Sequence, residues 1–284
     1  MLVTFVCTGN TCRSAMAEGL FRKILSDRSV GDIECRSCGI SAWTGDSATE
    51  YAILAAESLG ADISSHRSTL INPYITAQSD LIVCMTLNHK RAVMSLEPAC
   101  PVIVPESGVS DPYGFGLDTY IECAAQIYDY LERLADVLCA EIVPMAEEHI
   151  AGVAELEKQC FSAPWSEDGV RAELGNNTAH FLVAVSGGKV IGYIGVHEVC
   201  GEAYIANIAV DKAHRRMTLG RRLLTAARDA AKSRDCEFIS LEVRKSNKAA
   251  IGLYSGMGFE AVGERKNFYT APSEDAVIMT LKDL

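Results

Sequence analysis

Cys7 and Arg13 stand at the two ends of a short polar loop, "CTGNTCR", which carries one glycine, two threonines and a second cysteine. The run before it, Leu2 to Val6, is apolar and rich in β-branched residues, and reads as a buried strand of a parallel sheet. After it, Met16, Leu20 and Ile24 recur at every fourth position, so a helix is expected to begin near Ser14. Strand, polar loop and helix N-terminus together make an anion site. Backbone N–H groups converge there, the helix end adds partial positive charge, and an arginine offers two parallel donors to phosphoryl oxygens. The same donors stabilise a thiolate. Cys7 is therefore the candidate nucleophile, with Ser14 as a hydroxyl donor to its sulfur.

A second stretch, "NIAVDKAHRRMTLGRRLL" from 207 to 224, repeats this logic for a different anion. A strand runs into a basic, glycine-bearing turn that opens a helix, whose first N–H groups could receive a pyrophosphate. Read alone, Arg215, Arg216 and Arg221 fit the solvated end of a helix equally well.

The elements that must carry these loops fall into two groups. Strand-like and helix-like segments alternate to about residue 139, ending in the amphipathic "LDTYIECAAQIYDYLERLADVL". Alternation of that kind predicts an α/β unit with a parallel sheet and helices on both faces. From "EIVPM" onward the order becomes strand, two helices and two strands joined by "SGGK", where Gly187-Gly188 signals a hairpin turn. Further strands and helices complete a mixed sheet. The expected domains are therefore 1–139 and 140–284.

A formal charge of −11 argues against a nucleic-acid or anionic-membrane surface, which leaves protein or small-molecule partners. The N-terminus lacks the basic and apolar regions of a signal peptide, and no stretch is long enough to span a membrane. Eleven cysteines scattered through a large, well-cored chain suit a reducing cytoplasm. Cys35 and Cys38 form a C-x-x-C with no second pair at zinc-ligand spacing, so no metal is expected. His66 reads as a capping or packing residue.

The full "VCTGNTCRSAMAEGLF", the later "SDLIVCMTLNHK" and "DPYG" at 111–114 resemble the low-molecular-weight protein tyrosine phosphatase family over residues 1–139. The resemblance implies a four-stranded parallel sheet, a phosphocysteine intermediate on Cys7 and a phosphoryl group held by Arg13. Asp111 would be the general acid, and Thr8, Gly9, Asn10, Thr11, Cys12 and Ser14 would line the substrate. Thr11 and a single aromatic in "DPYG" are similar to the protein-arginine-phosphatase branch, whereas tyrosine-directed members carry a bulky aliphatic residue at the Thr11 position. Phosphoarginine in a protein is the first expectation and phosphotyrosine the alternative. Ala15 departs from the proline usual after the serine.

"SAPWSEDG", "LEVRKSNKAAIGLYSGMGFE" and "FYTAPSEDAVIMTL" resemble the GNAT N-acetyltransferases, in particular RimI-like ribosomal-protein-alanine acetyltransferases, over residues 140–284. The resemblance implies acetyl-CoA as co-substrate and a protein N-terminus as acceptor, a ribosomal protein's among them. Its pantetheine arm would pair with Ile208, Ala209 and Val210. Its pyrophosphate would sit on the turn Arg216, Met217, Thr218, Leu219, Gly220 and Arg221, and Asn247 would touch the cofactor. By position Glu242 is the general base and Tyr254 the general acid. Thr218 stands where the family turn has its first glycine. If that position needs positive φ the substitution is costly, and a module that binds acyl-CoA without turnover is the alternative.

Overall fold

The computed structural model describes residues 1–284, which divide into two compact units, Met1–Cys139 and Ala140–Leu284. The first contains β1 (Leu2–Cys7), α1 (Arg13–Asp27), β2 (Glu34–Gly39), α2 (Glu50–Ser58), α3 (Pro73–Gln78), β3 (Leu81–Cys84), α4 (Leu87–Met94), β4 (Val102–Ile103) and α5 (Leu117–Cys139). Its four strands lie in the order β2-β1-β3-β4, all parallel. Alternation along β1 sends Phe5 to one face, against Phe21 of α1 at 5.5 Å between ring centroids. Val6 goes to the other, into a cluster with Ile75 of α3, Ile82 of β3 and Val93 of α4. Both faces of the central strand are thus buried, as its continuous apolar run requires. The short α3 was not evident from apolar periodicity. It is set locally by Pro73 in its first turn and by Asn72, whose side chain accepts from the Ile75 N–H.

The second unit contains β5 (Glu141–Pro144), α6 (Ile150–Cys160), α7 (Glu167–Leu174), β6 (Ala179–Ser186), β7 (Lys189–Val199), β8 (Glu202–Val210), α8 (Leu219–Ser233), β9 (Phe238–Arg244), α9 (Lys248–Ser255), β10 (Glu260–Thr270) and β11 (Ser273–Lys282). The seven strands run β10-β11-β9-β8-β7-β6-β5 and are antiparallel except for the parallel pair β8/β9. Gly187 and Gly188 turn the β6–β7 hairpin at φ of 54° and 77°, a pair of left-handed conformations that two glycines adopt without strain. No helix of the chain is long and apolar enough to cross a membrane.

Candidate active sites

In the first unit the loop between β1 and α1 is held from outside by its carbonyls. Those of Cys7, Thr8 and Thr11 accept from the N–H groups of Ile40, Ser41 and Thr49, and that of Asn10 is bonded by His66 Nε2 at 2.7 Å. With its acceptors tied outward, the loop keeps N–H groups for its centre. The Asn10 N–H points at Cys7 Sγ, 3.2 Å away, and Ser14 Oγ lies 2.9 Å from the same sulfur.

Asn10 is the latch of this loop. It is fully buried in the left-handed region at φ 59°, a conformation asparagine tolerates better than most residues. Its Nδ2 donates to Ser14 Oγ at 2.9 Å and to Ser37 Oγ at 2.8 Å, and its Oδ1 accepts from the Thr69 N–H. Because Asn10 donates to the Ser14 oxygen, the Ser14 hydrogen is left to point at sulfur. Its other acceptor, the Cys38 carbonyl, is farther off at 3.4 Å. Gly39 allows the loop to sit so close to β2, since a Cβ there would lie 2.4 Å from the Thr8 carbonyl oxygen.

Arg13 is buried and reaches the Val109 carbonyl at 3.3 Å and Asp111 Oδ2 at 2.5 Å. Asp111 itself is half exposed in the loop before α5. Cys12 directs its thiol to Thr49 Oγ1 and the Tyr120 hydroxyl, each at 3.4 Å. Gly9 and Thr11 are half-buried in the same loop, with Thr11 Oγ1 3.8 Å from Cys12 Sγ. Tyr113 and Phe115 are both strongly exposed, so the segment after Asp111 presents two aromatics, not the single one counted within "DPYG". Burial pushes the Cys35, Cys38 and Cys123 thiols up to about 12, which keeps them protonated packing groups.

His66 and His89 are the groups whose roles sequence reading missed. No local pattern links either to the loop, because both contacts close over more than fifty residues. His89 is buried, with Nε2 2.9 Å from Thr8 Oγ1 and Nδ1 3.0 Å from Thr86 Oγ1. Burial, and then the charge of Arg13, pushes it down to about 4 from 6.5. A histidine held neutral in the folded state stabilises it fully above pH 6.5, and that contribution is lost as pH falls toward 4. Unfolding free energy should therefore fall across this window, by at most about 1.4 kcal/mol per pH unit, and His89→Gln should flatten the slope. Urea unfolding between pH 4 and 7 checks this; parallel profiles would remove His89 from the account.

In the second unit β8 parts from β9 after Ile205, since their parallel pairing covers only Glu202–Ile205. The edge of β8 from Ile208 to Val210 therefore has no strand beside it on that side, while Ile208, Ala209 and Val210 remain paired to β7 on the other. Arg215 Nε bonds the Val210 carbonyl at 3.1 Å. The following turn puts Arg216 at φ 63° and Thr218 at φ 74°. Thr218 caps α8 without any side-chain hydrogen bond, so the first N–H groups of the helix, at Leu219, Gly220 and Arg221, stay open to an anion. Met217 and Leu219 are buried and anchor the turn. The residues present fit a pyrophosphate. Asn247 caps α9 through Oδ1, which accepts from the Ala250 N–H at 3.1 Å.

The side chain of Glu242 on β9 is almost wholly buried. It accepts from the Tyr204 hydroxyl and pairs with Arg265 Nη1 at 2.9 Å. Tyr254 of α9 is buried against Phe259, and burial pushes its phenol well above the usual tyrosine range. Sequence reading passed over Glu157, a fully buried carboxylate that takes the Tyr193 hydroxyl, Asn207 Nδ2 at 2.9 Å and the Trp165 N–H at 2.8 Å. It ties the "SAPWS" loop to β8, one residue before the unpaired edge. On the sequence it is one acid in an amphipathic helix, and nothing nearby marks it.

Known families match the two units in the order in which they occur along the chain. Residues 2–146 match the low molecular weight phosphotyrosine protein phosphatase family and residues 150–259 the acetyltransferase (GNAT) family. The chain is 38% identical over 128 residues to the ribosomal protein bS18-alanine N-acetyltransferase of Escherichia coli (strain K12), covering 44% of this chain and 86% of that protein. It is 36% identical over 132 residues to the N-alpha-acetyltransferase RimI of Mycobacterium tuberculosis, covering 44% of this chain and 82% of that one. Among solved structures, the YwlE arginine phosphatase with a phosphorylated active-site serine superposes with a TM-score of 0.45 at 30% identity, over 49% of this chain and 95% of that one. The chain belongs to both families: it joins a low-molecular-weight phosphatase to a RimI-like GNAT N-acetyltransferase.

Proposed function

We propose that the first unit hydrolyses phosphoarginine in proteins by way of a phosphocysteine. The observation that carries the reading is the arrangement about Cys7, with a serine hydroxyl and an inward N–H on its sulfur and the Arg13–Asp111 pair at the mouth. Cys7 attacks phosphorus, the bond from phosphorus to the leaving nitrogen breaks, and Asp111 gives that nitrogen a proton. Asp111 then takes a proton from water, whose oxygen displaces the thiolate and releases phosphate. Arg13 holds the equatorial oxygens through both steps. When it turns to a phosphoryl group it gives up Asp111, which frees that carboxyl for the leaving group.

With two exposed aromatics beside Asp111, the ring count no longer separates phosphoarginine from phosphotyrosine. The substrate assignment rests on Thr11, a small hydroxyl-bearing wall that suits a guanidinium better than a phenol. Thr11→Ile should move preference toward phosphotyrosine by about 10–200-fold, the range for changing one apolar group in a pocket. Paired turnover on phosphoarginine and phosphotyrosine peptides checks this. Equal or better activity of the unmodified protein on phosphotyrosine would overturn the arginine assignment.

For the second unit, acetyl-CoA would supply an activated acetyl group, with its pantetheine against Ile208–Val210 and its pyrophosphate on the α8 turn. Support comes from the parting of β8 and β9 together with the uncapped helix start. Glu242 removes a proton from the acceptor's N-terminal ammonium, the amine attacks the thioester carbonyl, and the C–S bond breaks. Tyr254 protonates the departing sulfur, and the second nitrogen proton is lost as the amide forms. Asn247, whose side-chain oxygen is spent on its helix, reaches the cofactor only through its amide nitrogen. The acceptor we favour is an alanine-initiated ribosomal protein, in a cytoplasmic setting. Acetyl-CoA consumption with alanine-starting peptides tests the reading. Binding of CoA without acetyl transfer would make this unit a sensor or docking module.

A further inference from the structure

We propose that Arg265 is a displaceable cation that occupies the acceptor amine's place on Glu242 until substrate arrives, an inference that rests on reading Glu242 as the base. Each oxygen of that carboxylate has a partner in the free protein. Oε2 accepts from the Tyr204 hydroxyl of neighbouring β8, and Oε1 forms an ion pair with Arg265 Nη1 at 2.9 Å. A base must come within hydrogen-bond reach of the proton it removes, directly or through one water. With Arg265 beside Oε1, the cation's place on that oxygen is already filled, and an incoming ammonium must displace the guanidinium to sit there.

The two partners differ in how firmly they are held. Tyr204 comes from a strand paired directly to β9, and it is partly buried. Arg265 lies on β10, beyond β11, and reaches Glu242 across the intervening strand. Its direct partner on β11 is the small Ala276, while Glu242 stands opposite Ile278, so the arginine crosses β11 diagonally on the Ala276 side. Its side chain is 56% exposed against 5% for Glu242. Arg265 is also the last residue paired to β11 before the ladder breaks, and pairing resumes only at Tyr269. Within that break Phe268 holds its ring 5.5 Å from the guanidinium while Arg265 is paired with Glu242, so the arginine keeps a second, apolar contact that does not depend on the carboxylate.

The exchange this permits is cation for cation. Removing the partner of a buried carboxylate leaves an uncompensated charge, which is strongly unfavourable. An incoming N-terminal ammonium meets that requirement and also brings the proton that Glu242 is to remove. Because the ammonium brings a cation as the arginine leaves, Glu242 is not left unpaired, and the exchange costs only the difference between the two contacts. A neutral ligand could not take its place.

Steady-state kinetics with acetyl-CoA and an alanine-starting peptide test the exchange. Arg265→Ala should lower the peptide KM by about two- to fivefold, the fold-change matching a half-exposed ion pair, and leave the acetyl-CoA KM unmoved. Millimolar guanidinium ion should then inhibit Arg265→Ala competitively against peptide, more strongly than it inhibits the parent, because it refills the vacated position. Arg265→Lys should restore the parent KM. A peptide KM that stays or rises in Arg265→Ala, with no added sensitivity to guanidinium, overturns the exchange. Glu242→Gln in the same assay separates the two ideas. If Glu242→Gln is inactive while Arg265→Ala leaves the peptide KM unchanged, only the exchange fails; if Glu242→Gln keeps full activity, the base assignment fails and the exchange falls with it.

Discussion

Cys7→Ala abolishes phosphatase turnover and leaves acetyl transfer at the parent rate. The first half of this expectation follows from the covalent mechanism. Ser14, the Asn10 N–H and Arg13 can still bind a phosphoryl group, but no atom remains to attack it, and the loss should exceed about 10⁴-fold. The second half follows from packing, because the chain forms two compact units. The β1–α1 loop hangs on Ile40, Ser41, Thr49 and His66, all within Met1–Cys139. Removing one sulfur there leaves the core of the second unit, which α6 forms with β6, β7 and β8, intact. Phosphate release and acetyl-CoA consumption measured on one sample check both halves. Loss of both activities would show that the units are coupled, and retained phosphatase activity would remove Cys7 as nucleophile.

What could be read from the sequence in each unit was what short-range rules encode. The apolar run of β1, the four-residue spacing of α1 and the paired glycines at 187 and 188 fix elements within a few residues of chain, and the structure has them. The spacing of Cys7, Ser14 and Arg13 was legible for the same reason, since one loop carries all three. What closes the loop from outside was not. Gly39 matters because the Thr8 carbonyl passes 2.4 Å from where a Cβ would sit, and that approach is created by the β1/β2 pairing. His66, His89 and Glu157 act across contacts that no local periodicity reports. Arg265 looked like one more charge on a terminal strand; only the sheet order sets it over Ala276 and onto Glu242. Thr218 lies between these cases. The sequence raised the question of positive φ, and the fold answers it at 74°.

That angle makes the second large expectation a paired one. Glu242→Gln and Tyr254→Phe should each slow acetyl transfer by about 10²–10⁴-fold, the usual contribution of one acid or base group. Tyr254→Phe should leave acetyl-CoA affinity nearly unchanged, because the phenol acts on the sulfur only as the thioester collapses. Burial moves its pKa further above the tyrosine range, so it adds no titration of its own in the neutral range. Thr218→Gly should act in the opposite direction. A β-branched residue in the left-handed region carries strain of about 1–2 kcal/mol, and glycine removes it. Against that stands the extra chain entropy of glycine, about 0.5–1 kcal/mol. The net gain in stability is therefore small. Binding gains through the freedom glycine gives the turn, whose Leu219, Gly220 and Arg221 N–H groups can then adjust around a pyrophosphate with no β-branched side chain at position 218. Calorimetry with CoA should show tighter binding in Thr218→Gly, and the peptide assay a higher rate at limiting acetyl-CoA. CoA binding that is detectable but never followed by acetyl transfer, in the parent and in Thr218→Gly alike, would mean that the second unit senses acyl-CoA and does not use it.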